Sequence, residues 1–477
     1  MSASGIGVSP AYDQVLVDVA DYVMDFRVSS LEAYRMARYC LMDTLGCAVA
    51  AMNVPECIKL LGPMFPGMTC QHGARVPGTQ FELDPVTAAF NFGTAARWLE
   101  LNDSFSAVEG AHPSDNFGAL VCTADYLSRC RVSQGEKPLL MRDVLESAIK
   151  AYEIQGVLQL ENSFAGYDYI MLTRIAAAAV VTRMLGGGRE QVLSALSNAW
   201  ADGVHLKVYR QDENTGSRKG WAAGDAASRA VRLALIAMRG EMGYPTVLTA
   251  RRHGFYDVLF KGEPFRFPRS YGSYVMENVI FKYVPAGNHG QTAVECASKL
   301  HPLVKDRIDD IQAITIKTQY KLLGIMDKKG PLTNPAARDH CAQYIVAVAL
   351  IHGKLEVDHF TDEFAADPRI DRLREMMTVE EEPRYSRDFL DPDKRSKANA
   401  IQVHFKDGSS TPMVEVEYTI GHPRRRLEGV QMVEAKFRRH IACRFPLARQ
   451  TGILDALSDQ ERLESMPVHD FMSRFVI

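Results

Sequence analysis

Apolar side chains recur at helical spacing from the start of the chain: Val15, Val19, Tyr22, Val23 and Phe26 share one face over residues 12–26. Ser29-Ser30-Leu31-Glu32 then reads as a capping box opening the next helix. Up to about residue 245, Ala- and Leu-rich stretches of the same period alternate with short breaks, as at 142–160, 174–185, 191–202 and 222–239, and Gly186-Gly187-Gly188 ends one of them. This part of the chain is predicted to be all-α. After about residue 270 the period changes. Ile314, Ile316 and Thr318 alternate with Thr315 and Lys317 as in a strand, and Ile401, Val403 and Phe405 run through Asp407-Gly408 into Val414, Val416 and Tyr418 as a hairpin. Helical patterns at 291–300 and 342–352 lie between, so helices on an antiparallel sheet are expected. Helix resumes after Gly421 through 430–439, and the Pro/Arg/Asp-rich stretch 383–397 reads as a long surface loop. The expected fold class is mainly α with an α+β second domain.

Composition narrows the function more than the fold. The 477 residues, 47% hydrophobic and 24% charged, are those of an ordinary globular protein with material for two or three domains. A net charge of -3 offers no broad attraction to nucleic acid or an anionic membrane, so any grip on an acidic ligand must come from a local cluster of cations. The nine cysteines, from Cys40 to Cys443, are scattered and form no CxxC pair, which reads as reduced thiols and not as a disulfide frame, zinc ribbon or iron–sulfur cradle. Chemistry on this chain is therefore expected to rest on side-chain acids and bases, with no metal and no cofactor. No apolar run approaches the roughly 20 residues of a membrane span. The N-terminal MSASGIGVSPAYDQ has neither a signal-peptide core nor an Arg-rich transit pattern, and a cytoplasmic address is expected.

Four clusters offer chemistry. Trp98-Leu99-Glu100-Leu101-Asn102-Asp103-Ser104 and Gly110-Ala111-His112-Pro113-Ser114-Asp115-Asn116 bring together acids, amides, hydroxyls and a histidine. His112 among Asp103, Ser104 and Asp115 supplies a group titrating near neutrality beside partners that can fix it. The same words also serve as a polar, capped turn. Asn214-Thr215-Gly216-Ser217-Arg218-Lys219-Gly220 sets two cations beside glycines ahead of an apolar helix, which suits a carboxylate and equally a solvated loop; the P-loop spacing is absent. Lys282 and His289 flank the expected domain junction, where ligand sites concentrate, though a surface cation and a cap partner fit them too. His340 and Tyr344, four apart, would share a helical face, to orient substrate or give a proton, or simply to form a polar edge. Met376-Met377 reads as core filling and Arg424-Arg425-Arg426 as a solvated run.

In this order the clusters resemble the MmgE/PrpD family, most closely its bacterial-type members that dehydrate 2-methylcitrate. The resemblance runs from about residue 12 to the C-terminus. It is carried by Cys40-Leu-Met-Asp-Thr-Leu-Gly46, Val76-Pro-Gly-Thr-Gln-Phe81, His112-Pro-Ser-Asp-Asn116, Glu153-Ile-Gln-Gly156, Asn214-Thr-Gly216, Gly240-Glu-Met-Gly-Tyr-Pro245, Tyr274-Val-Met-Glu-Asn278, Asp327-Lys-Lys-Gly-Pro-Leu332 and Arg338-Asp-His340. The resemblance implies a helical domain over 1–270, an α+β lid over 271–420, and helices over 421–477 that complete the first domain. It also implies a cleft between them, a homodimer, and a metal-independent hydro-lyase acting on a small tricarboxylate, with no nucleic-acid or membrane partner. By position, the family's active-site acid falls on Glu100, its hydroxyl on Ser104, its histidine on His112, its lysines on Lys219 and Lys282, and a tyrosine on Tyr344.

Several words depart from the family pattern. Trp-Leu-Asp-Phe-Asn-Asp-Thr-Trp becomes Trp98-Leu-Glu-Leu-Asn-Asp-Ser-Phe105, and after Glu-Asn-Ser-Phe the chain is two residues shorter, with Tyr169 where the family has a histidine. Pro-Ala-Glu-Phe-His becomes Pro285-Ala-Gly-Asn-His289. These changes strike the cleft and suggest a citrate with a longer alkyl arm. The expected mechanism has Lys219, Lys282 and Arg218 holding carboxylates, and His112, positioned by Asp103, moving the proton. Glu100 or Tyr169 then protonates the leaving hydroxyl, and Asn102, His289 and His340 help bind substrate. A cis-aconitate-like decarboxylase and a non-catalytic acid-binding protein are the alternatives.

Overall fold

Leu16, Val19, Ala20 and Val23 turn inward along α1 (Gln14–Asp25) in the computed structural model, which describes residues 10–210 and 214–477. The sequence reading of residues 1–9 lies outside the described residues. α2 (Leu31–Ala51) starts at Ser30, whose hydroxyl accepts the Ala33 amide at 3.1 Å. The expected capping box does not form, because Ser30 and not Ser29 caps the helix, which puts Ala33 at the third position and leaves Glu32 to pair with Arg35 at 2.7 Å. Almost all of α2 is buried, Arg38 and Asp43 included.

Around it pack α3 (Pro85–Trp98), α4 (Phe117–Ser133), α5 (Met141–Gln159), α6 (Ile170–Met184), α7 (Arg189–Ala201) and α8 (Arg218–Met238). Two glycine contacts set this arrangement. A Cβ on Gly93 of α3 would lie 2.9 Å from the Gly224 Cα of α8, and one on Gly118 of α4 would lie 2.9 Å from the Ala89 carbonyl oxygen of α3. Only glycine lets three helix backbones approach this closely. The close crossing delivers the C-terminal end of α3 and the first turn of α8 to the same place.

A second core begins at Val284. The helices α9 (Gln291–Val304) and α10 (Ala342–His352) cover a four-stranded sheet made by β1 (Ile311–Thr318), β2 (Met377–Glu381), β3 (Asn399–Phe405) and β4 (Val414–Val416), in the order β2-β1-β3-β4. The hairpin of β3 and β4 is antiparallel, with Ile401 opposite Val414, and Gly408 in its turn has φ 82°. The sheet is mixed, not antiparallel, since β2 runs parallel to β1. β2 escaped the sequence reading because it is an edge strand burying only Met377, too little for an alternation. Nor is 383–397 a surface loop. Pro383–Leu390 forms a further helix, α11, whose Tyr385 and Phe389, four apart, turn inward.

Mainly helical with a smaller α+β part, the described residues form two large apolar clusters besides two small ones: one large cluster takes residues between Leu16 and Phe281 and again between Val433 and Phe475, the other residues between Val284 and Val416. α12 (Arg426–Ala442) returns the chain to the helical body. Its Lys436 ammonium pairs with Asp43 of α2 at 2.6 Å and donates to the carbonyls of Leu101 at 3.0 Å and Lys282 at 2.6 Å. The arginine run is not simply solvated: Arg425 pairs with Glu295 at 2.9 Å and Arg426 donates to the Glu277 and Val279 carbonyls. Among the described residues no helix is long and apolar enough to cross a membrane.

Candidate active site

Glu100 stands one residue beyond the cap of α3 with φ 53°, a left-handed conformation that for a residue with a Cβ costs about 1–2 kcal/mol. The surroundings repay this strain. Arg97, one turn back, donates to Glu100 Oε1 at 2.6 Å, and Lys282 donates to Oε2 at 2.9 Å and to the Glu100 carbonyl at 3.0 Å. Lys219 lies 3.7 Å from Oε1. Lys282 arrives because Ser104 and Ile280 exchange backbone hydrogen bonds at 2.8 and 2.7 Å, stitching its segment to that of Glu100. Burial alone would raise the Glu100 carboxyl, but Arg97, then Lys282 and Lys219, outweigh it and hold the group well below the ordinary carboxylate range. Arg97 and Lys282 thus hold Glu100 as a carboxylate.

The His112 ring is fixed through Nδ1, 2.5 Å from the Asp103 carbonyl oxygen. A carbonyl only accepts, so Nδ1 carries the proton and Nε2 presents its lone pair, 3.8 Å from Glu100 Oε2. Asp103 therefore positions the imidazole through its backbone and not its carboxylate, which accepts from Ser114 Oγ at 2.6 Å and the Tyr152 hydroxyl at 2.8 Å. Burial, then Arg97 and Lys282, push His112 well below the usual histidine value, so it is neutral. Lys282 itself is pulled down to about 8, chiefly by burial.

These groups line one side of a cavity of 670 Å³ between the two cores. Of the expected residues, Glu100, Ser104, His112, Tyr169, Lys282, His289 and His340 border it. Tyr169 lies with its ring centroid 6.0 Å from that of His112, and Arg97 donates to its hydroxyl at 3.5 Å. Burial raises its phenol, against the opposing pull of Arg97 and Arg210. His289 accepts from Gln319 through Nδ1 at 2.9 Å, and the His340 Nδ1 meets Asp339 at 2.5 Å. Asp103 and Asn102 lie behind the wall, Asn102 donating to Ser114 Oγ at 2.9 Å and Asp115 Oδ1 at 3.2 Å. Lys219 is also behind it, spent on Asp339 at 2.5 Å.

Two expected residues are elsewhere. Arg218 stacks on Trp221 at 4.1 Å, approaches Asp225 and borders a separate hollow. Tyr344 lies in the core of the α+β part and donates to the His359 carbonyl at 2.6 Å. The helical spacing that paired it with His340 does not apply, because α10 starts at Ala342, after His340. Sequence reasoning missed Arg97, Arg210, Lys321 and Lys397, all on the cavity wall. For Arg97 the signal was there: it precedes Glu100 by three residues, the spacing of a helical ion pair. Lys397 was hidden at the end of the stretch read as a loop.

The fold and the site define a class: a mainly helical body and an α+β unit sharing a cavity in which a neutral imidazole stands over buried cations, an arrangement suited to moving protons on an anionic small molecule. The chain belongs to the MmgE/PrpD family, its residues 17–268 matching the MmgE/PrpD N-terminal domain and 284–460 the C-terminal domain. It is 52% identical over 483 aligned positions to a 2-methylcitrate dehydratase of Salmonella typhimurium, covering 100% of both chains. A 2-methylcitrate dehydratase of Cupriavidus necator is 54% identical over 98% of each chain. A mitochondrial 2-methylcitrate dehydratase of Yarrowia lipolytica is 48% identical over 98% of this chain and 91% of its own.

Proposed function

We propose that this protein is a carbon–oxygen lyase that removes water from 2-methylcitrate, giving the corresponding unsaturated tricarboxylate. The observation that carries the chemistry is the neutral His112, which borders the cavity with its Nδ1 fixed by the Asp103 carbonyl and its Nε2 3.8 Å from Glu100 Oε2, beside Arg97 and Lys282. Nε2 takes the proton from the carbon next to a substrate carboxylate, and the cations beneath stabilise the negative charge that grows there. The neighbouring carbon releases its hydroxyl, which leaves as water with the Tyr169 proton as the double bond forms. A phenol is a stronger acid than water, so this transfer runs downhill, and Arg97 and Arg210 face the phenolate that remains. After the products leave, the His112 imidazolium passes its proton through water to the Tyr169 phenolate, which resets both groups. Residues 271–420 act as the lid in this reading. The unpaired thiols support a cytoplasmic setting, and the homodimer that the family resemblance implies is checked by light scattering on the purified protein.

The test is direct. Purified protein is incubated with 2-methylcitrate, citrate and longer alkylcitrates while unsaturated-acid absorbance and released CO₂ are followed. Absorbance gain on 2-methylcitrate without CO₂ is expected, and CO₂ release or no product on any of these acids overturns the reading. Longer alkyl arms are included because Val108, Leu206, Val208, Ile325 and Phe389 give the cavity an apolar side.

A further inference from the structure

None of the three cations expected to grip carboxylates is free to do so. Arg218 borders another hollow, Lys219 is held by Asp339, and Lys282, although at the cavity wall, is fully buried and paired with Glu100 at 2.9 Å. The other body-side cations of the cavity are likewise engaged: Arg97 by Glu100, Arg210 by Asp168 and Lys207 by Glu109.

The α+β part places two lysines on the wall, Lys321 and Lys397, of which Lys397 is the buried one. Lys397 stands on the cavity wall two residues ahead of β3, and its carbonyl accepts Thr292 Oγ1 at 2.6 Å and Asn399 Nδ2 at 3.3 Å, so its backbone is fixed. It is only 8% exposed. Among the described residues no carboxylate pairs with its ammonium, and the charged groups that bear on it are the cations Lys282 and Arg395. Burial first, then these two, pull it down to about 7. A buried charge with no counter-charge is costly to keep, and an anionic ligand arriving in the cavity would supply one.

We propose that Lys397 is the lid's carboxylate receptor, its ammonium taking the carboxylate of the substrate's carboxymethyl arm while His112, on the body side, faces the carbon that loses its proton. The inference rests on the tricarboxylate reading above. It gives the enzyme a grip on substrate from both sides of the cavity, and it ties substrate binding to the position of the lid.

Calorimetric binding and steady-state kinetics on the parent, Lys397→Met, Lys397→Gln and Lys397→Arg test it, with melting temperature as the check on folding. Neither neutral variant is expected to melt below the parent without ligand, because each removes an unpaired buried charge. The affinity of Lys397→Met for 2-methylcitrate is expected to fall about 10- to 100-fold with kcat changed less than about threefold, and Lys397→Arg to recover most of the loss. The dicarboxylate 2,3-dimethylmalate, which keeps the hydroxyl but lacks the carboxymethyl carboxylate, is expected to bind the parent and Lys397→Met equally. Unchanged affinity for 2-methylcitrate, or an equal loss for the dicarboxylate, overturns the proposal. Because calorimetry needs no turnover, a parent that binds 2-methylcitrate through Lys397 without dehydrating it removes the proposed activity and keeps this inference. A parent that dehydrates it with Lys397→Met unaffected does the reverse, and a parent that binds no tricarboxylate removes both.

Discussion

The imidazole of His112 hangs from the backbone carbonyl of Asp103 by a 2.5 Å hydrogen bond, which fixes its tautomer without spending a carboxylate on it. A base held this way stays neutral, since no anion bonded to Nδ1 draws a proton onto the ring. His112→Ala is expected to lower kcat about 10²- to 10⁴-fold with an unchanged melting temperature. An unchanged rate on a confirmed substrate removes the assignment.

The pH profile follows from the same surroundings. His112 must be unprotonated to act, and burial, Arg97 and Lys282 hold it well below the ordinary 6.5, so the acid limb of kcat/KM is expected to lie below pH 6.5. On the alkaline side Lys397, pulled down to about 7, loses its ammonium first, and Lys282, pulled down to about 8, loses its charge next, so kcat/KM is expected to fall above about pH 7 and more steeply above 8. An acid limb at or above pH 6.5 would show that another group is the base.

Glu100 holds Arg97 and Lys282 together where water does not reach. Glu100→Gln keeps the shape and removes the charge, leaving two buried cations without their common anion, and is expected to cost about 3–5 kcal/mol of stability. Urea denaturation measures it. A loss below about 1 kcal/mol, the range of an exposed pair, contradicts the sealed arrangement.

Tyr344 and Arg218 serve as controls that separate position in the sequence from position in space. Tyr344→Phe gives up one buried hydrogen bond to the His359 carbonyl and is expected to lose about 0.5–1.5 kcal/mol of stability with kcat unaltered. Arg218→Ala is expected to leave KM for the tricarboxylate unchanged, because the side chain stacks on Trp221 outside the cavity. Steady-state kinetics on the two variants read both outcomes.

Sequence alone determined the elements whose signal is local. The periodicity of α1 and α5 to α8, the alternation of β1 and the Asp407-Gly408 turn each follow from side chains a few residues apart, and the family words marked Glu100, His112 and Lys282. The rest was decided by the tertiary structure, because it depends on residues that chain distance separates. Whether a lysine is spent or available is one such matter: Lys219 and Asp339 are 120 positions apart, and nothing near Lys219 in the chain announces that its charge is already neutralised. Lys397 looked like one more cation in a polar stretch until the lid buried it without a partner. Burial and pairing are properties of the assembled cavity, and they set the charge of each group that a local pattern can only name.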